Sequence, residues 1–392
     1  MTSILSEARI RRVAEHWRLW IDEGRIVGGV LLLAQHGELR YAEARGMRDR
    51  EQGLGMDRQT RFRLASLSKL LTSVTALRLC ELGVLALDEP IASWLLDFRP
   101  RLANGREPRI RLWHLLSHTA GLGYGFELPP GNAYEKAGVS DGLDRAGHDL
   151  AENLRRLASV PLLFEPGAAW RYSLATDVVG AIIARATGDS LASCVARWVT
   201  GPLGMTLTGF PGAGQSAPLS AAYKDGPHGA LRLDADDVLE LDSGLARVSP
   251  DRAFDPDQYP SGGAGMLGSA DDYLRLLECL RLGGRPLLQA DTTARLLGNA
   301  IGHLPIAGRG AGWKFGLGPL VLANPLAAGQ AQGAGSWSWC GLYGSHYWVD
   351  PLAGISLVAM TNTAVAGSWG AFADGLVRAL YGKAFPRRLA EH

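Results

Sequence analysis

Apolar residues recur at helical spacing from residue 4 to residue 23. Ile4, Leu5, Ile10, Val13, Trp17, Trp20 and Ile21 fall on one face, which predicts an amphipathic helix. The period then changes. VGGVLLLA, the polar turn Gln35-His36-Gly37-Glu38 and LRYAEARGM make two strand-like runs around a Gly-containing turn, a hairpin. The C-terminal end mirrors this with HYWVD, the turn Pro351-Leu352-Ala353-Gly354 and ISLVAMTNT, then a helix from about Trp369 to Tyr381. Such ends can join as one antiparallel sheet with helices against it.

The middle of the chain reads differently. Residues 67–83 predict a helix ended by Gly83, and helical runs recur at 111–118, 149–159, 176–187 and 191–199 between Gly/Pro-rich loops. Residues 205–262 look looser, interrupted by Pro211, Pro218, Pro227, Pro250, Pro256 and Pro260. The expected fold class is therefore α+β. Residues 1–80 and 255–392 would form a domain around an antiparallel sheet, and residues 81–254 a mainly helical inserted domain.

Composition narrows the function classes. The 392 residues carry 40 basic and 39 acidic side chains, a net charge of +1, which argues against a broad nucleic-acid or anionic-membrane surface. The longest apolar stretch, Val27 to Ala34, falls well short of the ~18 residues of a membrane span. The charged N-terminal segment has no apolar core of a signal peptide. A soluble, cytoplasmic protein is the expectation. Cys80, Cys194, Cys279 and Cys340 stand far apart, so neither a disulfide framework nor a zinc site is suggested. Only five Lys are present: Lys69, Lys136, Lys224, Lys314 and Lys383.

Three segments carry candidate chemistry. In Ser66-Leu67-Ser68-Lys69, at the start of the 67–83 helix, positions i and i+3 share a face, so the hydroxyl and the ammonium can meet. A Ser hydroxyl is a weak nucleophile without such activation, and a helix start adds positive potential for an oxyanion. The same four residues read equally as a capping Ser followed by a solvated Lys. Tyr172, in Trp170-Arg171-Tyr172-Ser173-Leu174, could act as a base beside a cation, or be a packed aromatic. Trp339-Cys340-Gly341-Leu342-Tyr343-Gly344 could bring a backbone N–H to a substrate oxygen, or be a strand with Gly kinks.

Other segments are read as decoys. Gly138-Val139-Ser140-Asp141-Gly142 matches G-x-S-x-G but lacks the strand and helix of a nucleophile elbow around Ser140. His114 and His118 are four apart, yet HLLSH lacks the Glu of H-E-x-x-H, so they are expected to support the 114–124 segment. The Arg387-Arg388 tail reads as a solvated end.

Taken together the ordered segments resemble the serine β-lactamase and penicillin-binding-protein superfamily, in its class C-like branch. The resemblance rests on Phe62-Arg63-Leu64-Ala65-Ser66-Leu67-Ser68-Lys69, on His114-Leu115-Leu116-Ser117-His118-Thr119-Ala120-Gly121-Leu122, on Tyr172-Ser173-Leu174 and on Pro260-Ser261-Gly262-Gly263-Ala264-Gly265-Met266. Arg99-Pro100-Arg101-Leu102 and the Trp339 segment sharpen it to the family VIII carboxylesterases. It extends from about residue 26 to residue 382.

The resemblance implies a site in the cleft between the two domains, working without metal or cofactor. Ser66 would be the acylated nucleophile, with Lys69 and Tyr172 sharing the proton transfers. The backbone N–H groups of Ser66 and Leu342 would form the oxyanion hole, and Tyr124, Leu174, Trp339 and Gly341 would border the substrate. Two departures from the β-lactamases matter. Lys-Thr-Gly is replaced by Trp339-Cys340-Gly341, and Tyr-x-Asn by Tyr172-Ser173-Leu174. The expected partner is an uncharged small-molecule ester of short to medium chain, with little β-lactam turnover. An acyltransferase using the same acyl-enzyme, a β-lactamase, or a non-catalytic ligand-binding or penicillin-sensor module are the alternatives. An intact Ser66, Lys69 and Tyr172 set argues against the last, because binding alone needs no activated nucleophile.

Overall fold

The computed structural model describes residues 5–212, 217–227, 229–255 and 257–382. Ile4, Lys383 and the Arg387-Arg388 tail lie outside the described residues. The N-terminal helix α1 (Glu7–Asp22) leads into the hairpin of β1 (Gly28–Gln35) and β2 (Glu38–Asp49), and β3 (Leu54–Gly55) follows. The buried central helix α2 (Ser68–Glu81) comes next, and α3 (Ala175–Thr187) and α4 (Ala270–Arg281) further on. The C-terminal part adds β4 (Trp313–Phe315), β5 (Leu320–Leu322), β6 (Ser336–Gly341), β7 (Ser345–Asp350), β8 (Ile355–Thr361) and the helix α5 (Ala371–Tyr381). These eight strands form one sheet in the order β4-β5-β6-β7-β8-β1-β2-β3. The two chain ends meet where β1 pairs antiparallel with β8, from Gly29 opposite Thr361 to Gln35 opposite Ile355.

Burial explains why β1 is apolar from Gly28 to Ala34 rather than alternating. Leu31 and Leu33 pack with Trp17 of α1, Leu357 of β8 and Phe372 of α5, whereas Val30 and Leu32 face the opposite way, toward α2 and α4. A strand covered on both faces has no polar side to show. Helix α2 is enclosed in the same manner, its Ser68 through Leu77 all buried. A helix surrounded by protein is core rather than surface. No single helix among the described residues is long and apolar enough to cross a membrane.

The stretch from 205 to 262 is more ordered than its prolines suggest. Asp237–Leu241 and Gly244–Val248 pair as a hairpin around Asp242 and Ser243, and Tyr223–Lys224 and Leu231–Arg232 form another short pair. Pro227 falls between the strands of the second pair, and Pro211, Pro218, Pro250 and Pro260 lie outside both, where no ladder donor is needed.

Candidate active site

Ser66 reaches its position through a short ladder and a strained turn. Phe62 and Arg63 pair with Gly268 and Leu267, and the Leu64 N–H donates to the Met266 carbonyl, so the segments on either side arrive together. Ala65 then takes φ 43°, a conformation that L-residues adopt at a cost, and a 3-10 turn over Ala65–Leu67 runs straight into α2. Ser66 thus lies one turn before Lys69. The Tyr273 hydroxyl of α4 donates to the Leu67 carbonyl at 2.9 Å and pins this junction.

The three principal candidates converge. Lys69 Nζ donates to Ser66 Oγ at 3.2 Å and to the Gly263 carbonyl at 2.9 Å, and the Tyr172 hydroxyl donates to Ser66 Oγ at 2.6 Å. The ammonium also stands 4.7 Å from the Tyr172 ring centroid and 5.2 Å from that of Tyr124. Lys69 is 1% exposed. Burial pulls its pKa down to about 7, the nearby Asp177 acting the other way. Burial pushes Tyr172 in the opposite direction, above its ordinary value, so the phenol holds its proton.

The segment Pro260 to Met266 is fastened along α2. Thr72 Oγ1 donates to the Gly262 carbonyl at 2.7 Å, and the Met266 N–H donates to Ser68 Oγ at 3.1 Å. Asp177, on α3, accepts from Ser261 Oγ at 2.7 Å and from the Gly263 N–H at 3.0 Å through Oδ1, while its buried Oδ2 has no partner among the described residues. Desolvation raises this carboxyl above its ordinary range. Gly263 thereby links two groups that the sequence does not connect: its carbonyl holds Lys69 and its N–H holds Asp177. Asp177 was not among the expected site residues. The Gly-rich run in 260–266 is the one sequence signal for this close packing.

A cavity of about 580 Å³ opens at Ser66. Tyr124, Tyr172, Trp339 and Leu342 line it, with Leu241, Asp242 and Ser243 of the hairpin along one side. Trp339 packs against Tyr172 with ring centroids 5.1 Å apart. The wall is less uniformly apolar than the sequence suggests. Arg171 and Arg309 line it, as do Glu127 and Asp141, both carboxyls raised by burial to about 7.

Two expected substrate contacts sit elsewhere. Leu174 is buried in the main core at the start of α3 and does not line the cavity. As the residue that caps α3, it turns inward with the helix's apolar face. Gly341 is also outside the lining. It packs so close to the nucleophile segment that an added Cβ would lie 2.2 Å from the Leu64 carbonyl oxygen. Its role is to let β6 approach.

The decoys are satisfied locally. Ser140 Oγ donates to Asp144 and accepts from the Tyr259 hydroxyl at 3.3 Å, with no basic side chain among its hydrogen-bond partners in the described residues. His114 Nδ1 accepts the Arg111 N–H at 2.9 Å. His118 Nδ1 lies 3.0 Å from Ser173 Oγ, and its ring contacts that of Tyr172 at 5.0 Å between centroids. Both histidines support the segments they join.

A sheet assembled from both chain ends, and a Ser–Lys–Tyr cluster at the start of a buried helix, define the beta-lactamase class of proteins. The chain belongs to that family, whose pattern, described as Beta-lactamase, matches residues 9–380. It is 45% identical over 366 residues to Esterase EstB of Burkholderia gladioli, covering 93% of each chain. A solved structure of EstCE1, a hydrolase with promiscuous acyltransferase activity, superposes with a TM-score of 0.90 at 41% identity, covering 96% of this chain and 99% of that one. The Monacolin J acid methylbutanoyltransferase of Aspergillus terreus (strain NIH 2624 / FGSC A1156) is 27% identical over 379 residues, 86% of this chain and 87% of its own.

Proposed function

We propose that the protein is a serine carboxylesterase that hydrolyses short to medium acyl esters through an acyl-enzyme on Ser66. The observation that carries this reading is Ser66 Oγ held between Lys69 Nζ and the Tyr172 hydroxyl at the floor of the cavity. The likeness to Esterase EstB and to EstCE1 supports the reaction class.

Lys69 is the proposed base, because burial brings it to about 7 while Tyr172 stays protonated. As Ser66 Oγ bonds to the ester carbonyl carbon, its proton passes to neutral Lys69, directly or through the Tyr172 hydroxyl. The C–O bond then breaks, and the departing alkoxide takes that proton. Water attacks the acyl-enzyme by the reverse path and frees the acid. Backbone N–H groups of Ser66 and Leu342 are proposed to hold the oxyanion, since both residues line the cavity.

Selectivity follows from Trp339. An indole occupies the strand position at which the β-lactamases carry a Lys, so the usual cation for a β-lactam carboxylate is replaced by apolar area. One charge-assisted hydrogen bond contributes roughly 1.5–3 kcal/mol, or about 10- to 100-fold in binding. The test is turnover of p-nitrophenyl butyrate against benzylpenicillin on one preparation, with the products distinguished by mass. Ester hydrolysis with weak penicillin turnover is expected, and equal rates would refute the assignment. A second reading, acyl transfer, is favoured by the likeness to EstCE1 and to the Aspergillus enzyme. An added alcohol that diverts the acyl group to a new ester without changing nitrophenol release would support it.

A further inference from the structure

A second cavity, of about 470 Å³, lies beside the first, and Leu143 and Ala264 line both. Three arginines line it, Arg61, Arg63 and Arg252, all less than a tenth exposed. Arg63 directs Nε to the Pro250 carbonyl at 2.8 Å and Nη1 to the Ser220 carbonyl at 2.7 Å. Its Nη2 makes no hydrogen bond among the described residues. Arg252 directs Nη1 to the Asp144 carbonyl and Gln258, and Nη2 to the Tyr259 carbonyl, which leaves Nε unused. Neither Arg63 nor Arg252 forms an ion pair with a carboxylate among the described residues. The one carboxylate in the lining, Asp255, already accepts from the Asp257 N–H and from Gln258 Nε2, each at 3.0 Å.

A largely buried guanidinium with no carboxylate in contact is costly; carbonyl dipoles, with Asp251 acting on Arg63 and Asp177 near Arg252 from beyond contact, offset only part of that cost. Here two such groups share a cavity with unused donors. Phe210, Phe254, Tyr259 and Tyr343 supply an aromatic part of the remaining wall, beside Leu143 and Met266. Arg63 stands 5.7 Å from the Phe254 ring centroid and 6.0 Å from that of Tyr343, and Arg252 is 4.6 Å from that of Tyr259. The volume is that of a small-molecule site. It far exceeds a bare inorganic anion, and the aromatic wall would leave the rest of the space poorly hydrated.

We infer that this cavity binds an organic carboxylate with an apolar or aromatic body, its oxygens on Arg63 and Arg252 and its body against Phe254, Tyr259 and Tyr343. The acid released by ester hydrolysis belongs to this chemical class; that connection rests on the esterase reading, whereas the binding does not.

The probe is benzoate, measured by calorimetry at constant ionic strength on protein whose Ser66 has been phosphonylated, so that the catalytic cavity is filled. Intact mass checks the adduct first. Failure to label Ser66 would count against the esterase mechanism alone, and binding would then be read on untreated protein through the variant. Arg63→Ala removes two backbone anchors and is a poor first choice for a folded variant. Phe254→Glu is preferable, because Phe254 is 67% exposed and a carboxylate there would compete for Arg63. Benzoate is expected to bind the blocked protein, and Phe254→Glu to weaken it about tenfold or more, the scale of one charge-assisted hydrogen bond. Acetate and inorganic phosphate are expected to bind at least about tenfold more weakly than benzoate. No binding to the blocked protein, binding unchanged by Phe254→Glu, or phosphate binding as tightly as benzoate would each overturn the assignment.

Discussion

Replacing Asp177 by Asn removes one negative charge with almost no change of shape. Oδ1 can still accept from Ser261 and Gly263, and the amide nitrogen takes the place of the unpartnered Oδ2. The effect on Lys69 can be sized from the packing around Gly263. A Cβ placed there would lie 3.3 Å from Lys69 Nζ and 3.6 Å from Asp177 Oδ2, so the two charged atoms are less than about 7 Å apart. At that separation and an effective dielectric constant of ~20, the attraction is about 2.4 kcal/mol, equivalent to roughly 1.7 pH units. Asp177 favours charged Lys69, so removing it makes the amine easier to deprotonate. Under the proposed mechanism, activity that requires neutral Lys69 should rise with pH through about 7 in the unmodified protein. In Asp177→Asn the same limb should move to lower pH, by about one to two units. The assay is kcat/KM for p-nitrophenyl butyrate across the pH range at constant ionic strength, with thermal melting as the check on folding. An acid limb that stays in place, in a variant that melts normally, would refute the electrostatic link between Asp177 and Lys69.

Lys69→Ala and Tyr172→Phe should each lower kcat by about 10² or more, and the double variant should lose little beyond either, because the two groups act on one hydroxyl. Gly341→Ala should lose both activity and melting temperature, since its Cβ would force β6 away from the Leu64 carbonyl and disturb the turn that carries Ser66. Ser140→Ala should leave ester turnover within about twofold, while the loss of its buried hydroxyl lowers stability by about 1–3 kcal/mol in denaturant titration. A phosphonate adduct on Ser140 in place of Ser66 would overturn the proposed mechanism.

Ser66, Lys69 and Tyr172 were legible because each sits in a short segment whose spacing states its own geometry. The terminal helices were legible through an uninterrupted period of 3.6, and the hairpins through short apolar runs on either side of a Gly-containing turn. Asp177 was not, because its partner Gly263 lies 86 residues away and only folding brings them together. Strands of three residues, such as Trp313–Phe315 and Leu320–Leu322, are too short to display a period at all. Helix α4 has start signals of its own: Ser269 accepts the Asp272 N–H as its cap, and two Asp occupy the first turn. Leu174 turns into the core because a residue close to Tyr172 in sequence need not face the same way once a helix begins at the next position.

The pairing of β1 with β8 has a consequence for biosynthesis. Gly29 to Gln35 emerge early, yet their hydrogen-bonding partners, Ile355 to Thr361, are more than 300 residues behind. At a translation rate of about 5–20 residues per second, that interval is roughly 15–65 s. Throughout it an apolar strand destined for burial on both faces has only β2 on one edge and nothing on the other. Unpaired edges of that kind recruit whatever strand is near, including the same segment of another nascent chain. Yield of the folded protein should therefore depend on growth temperature and on chaperone supply more steeply than the stability of the finished molecule would suggest.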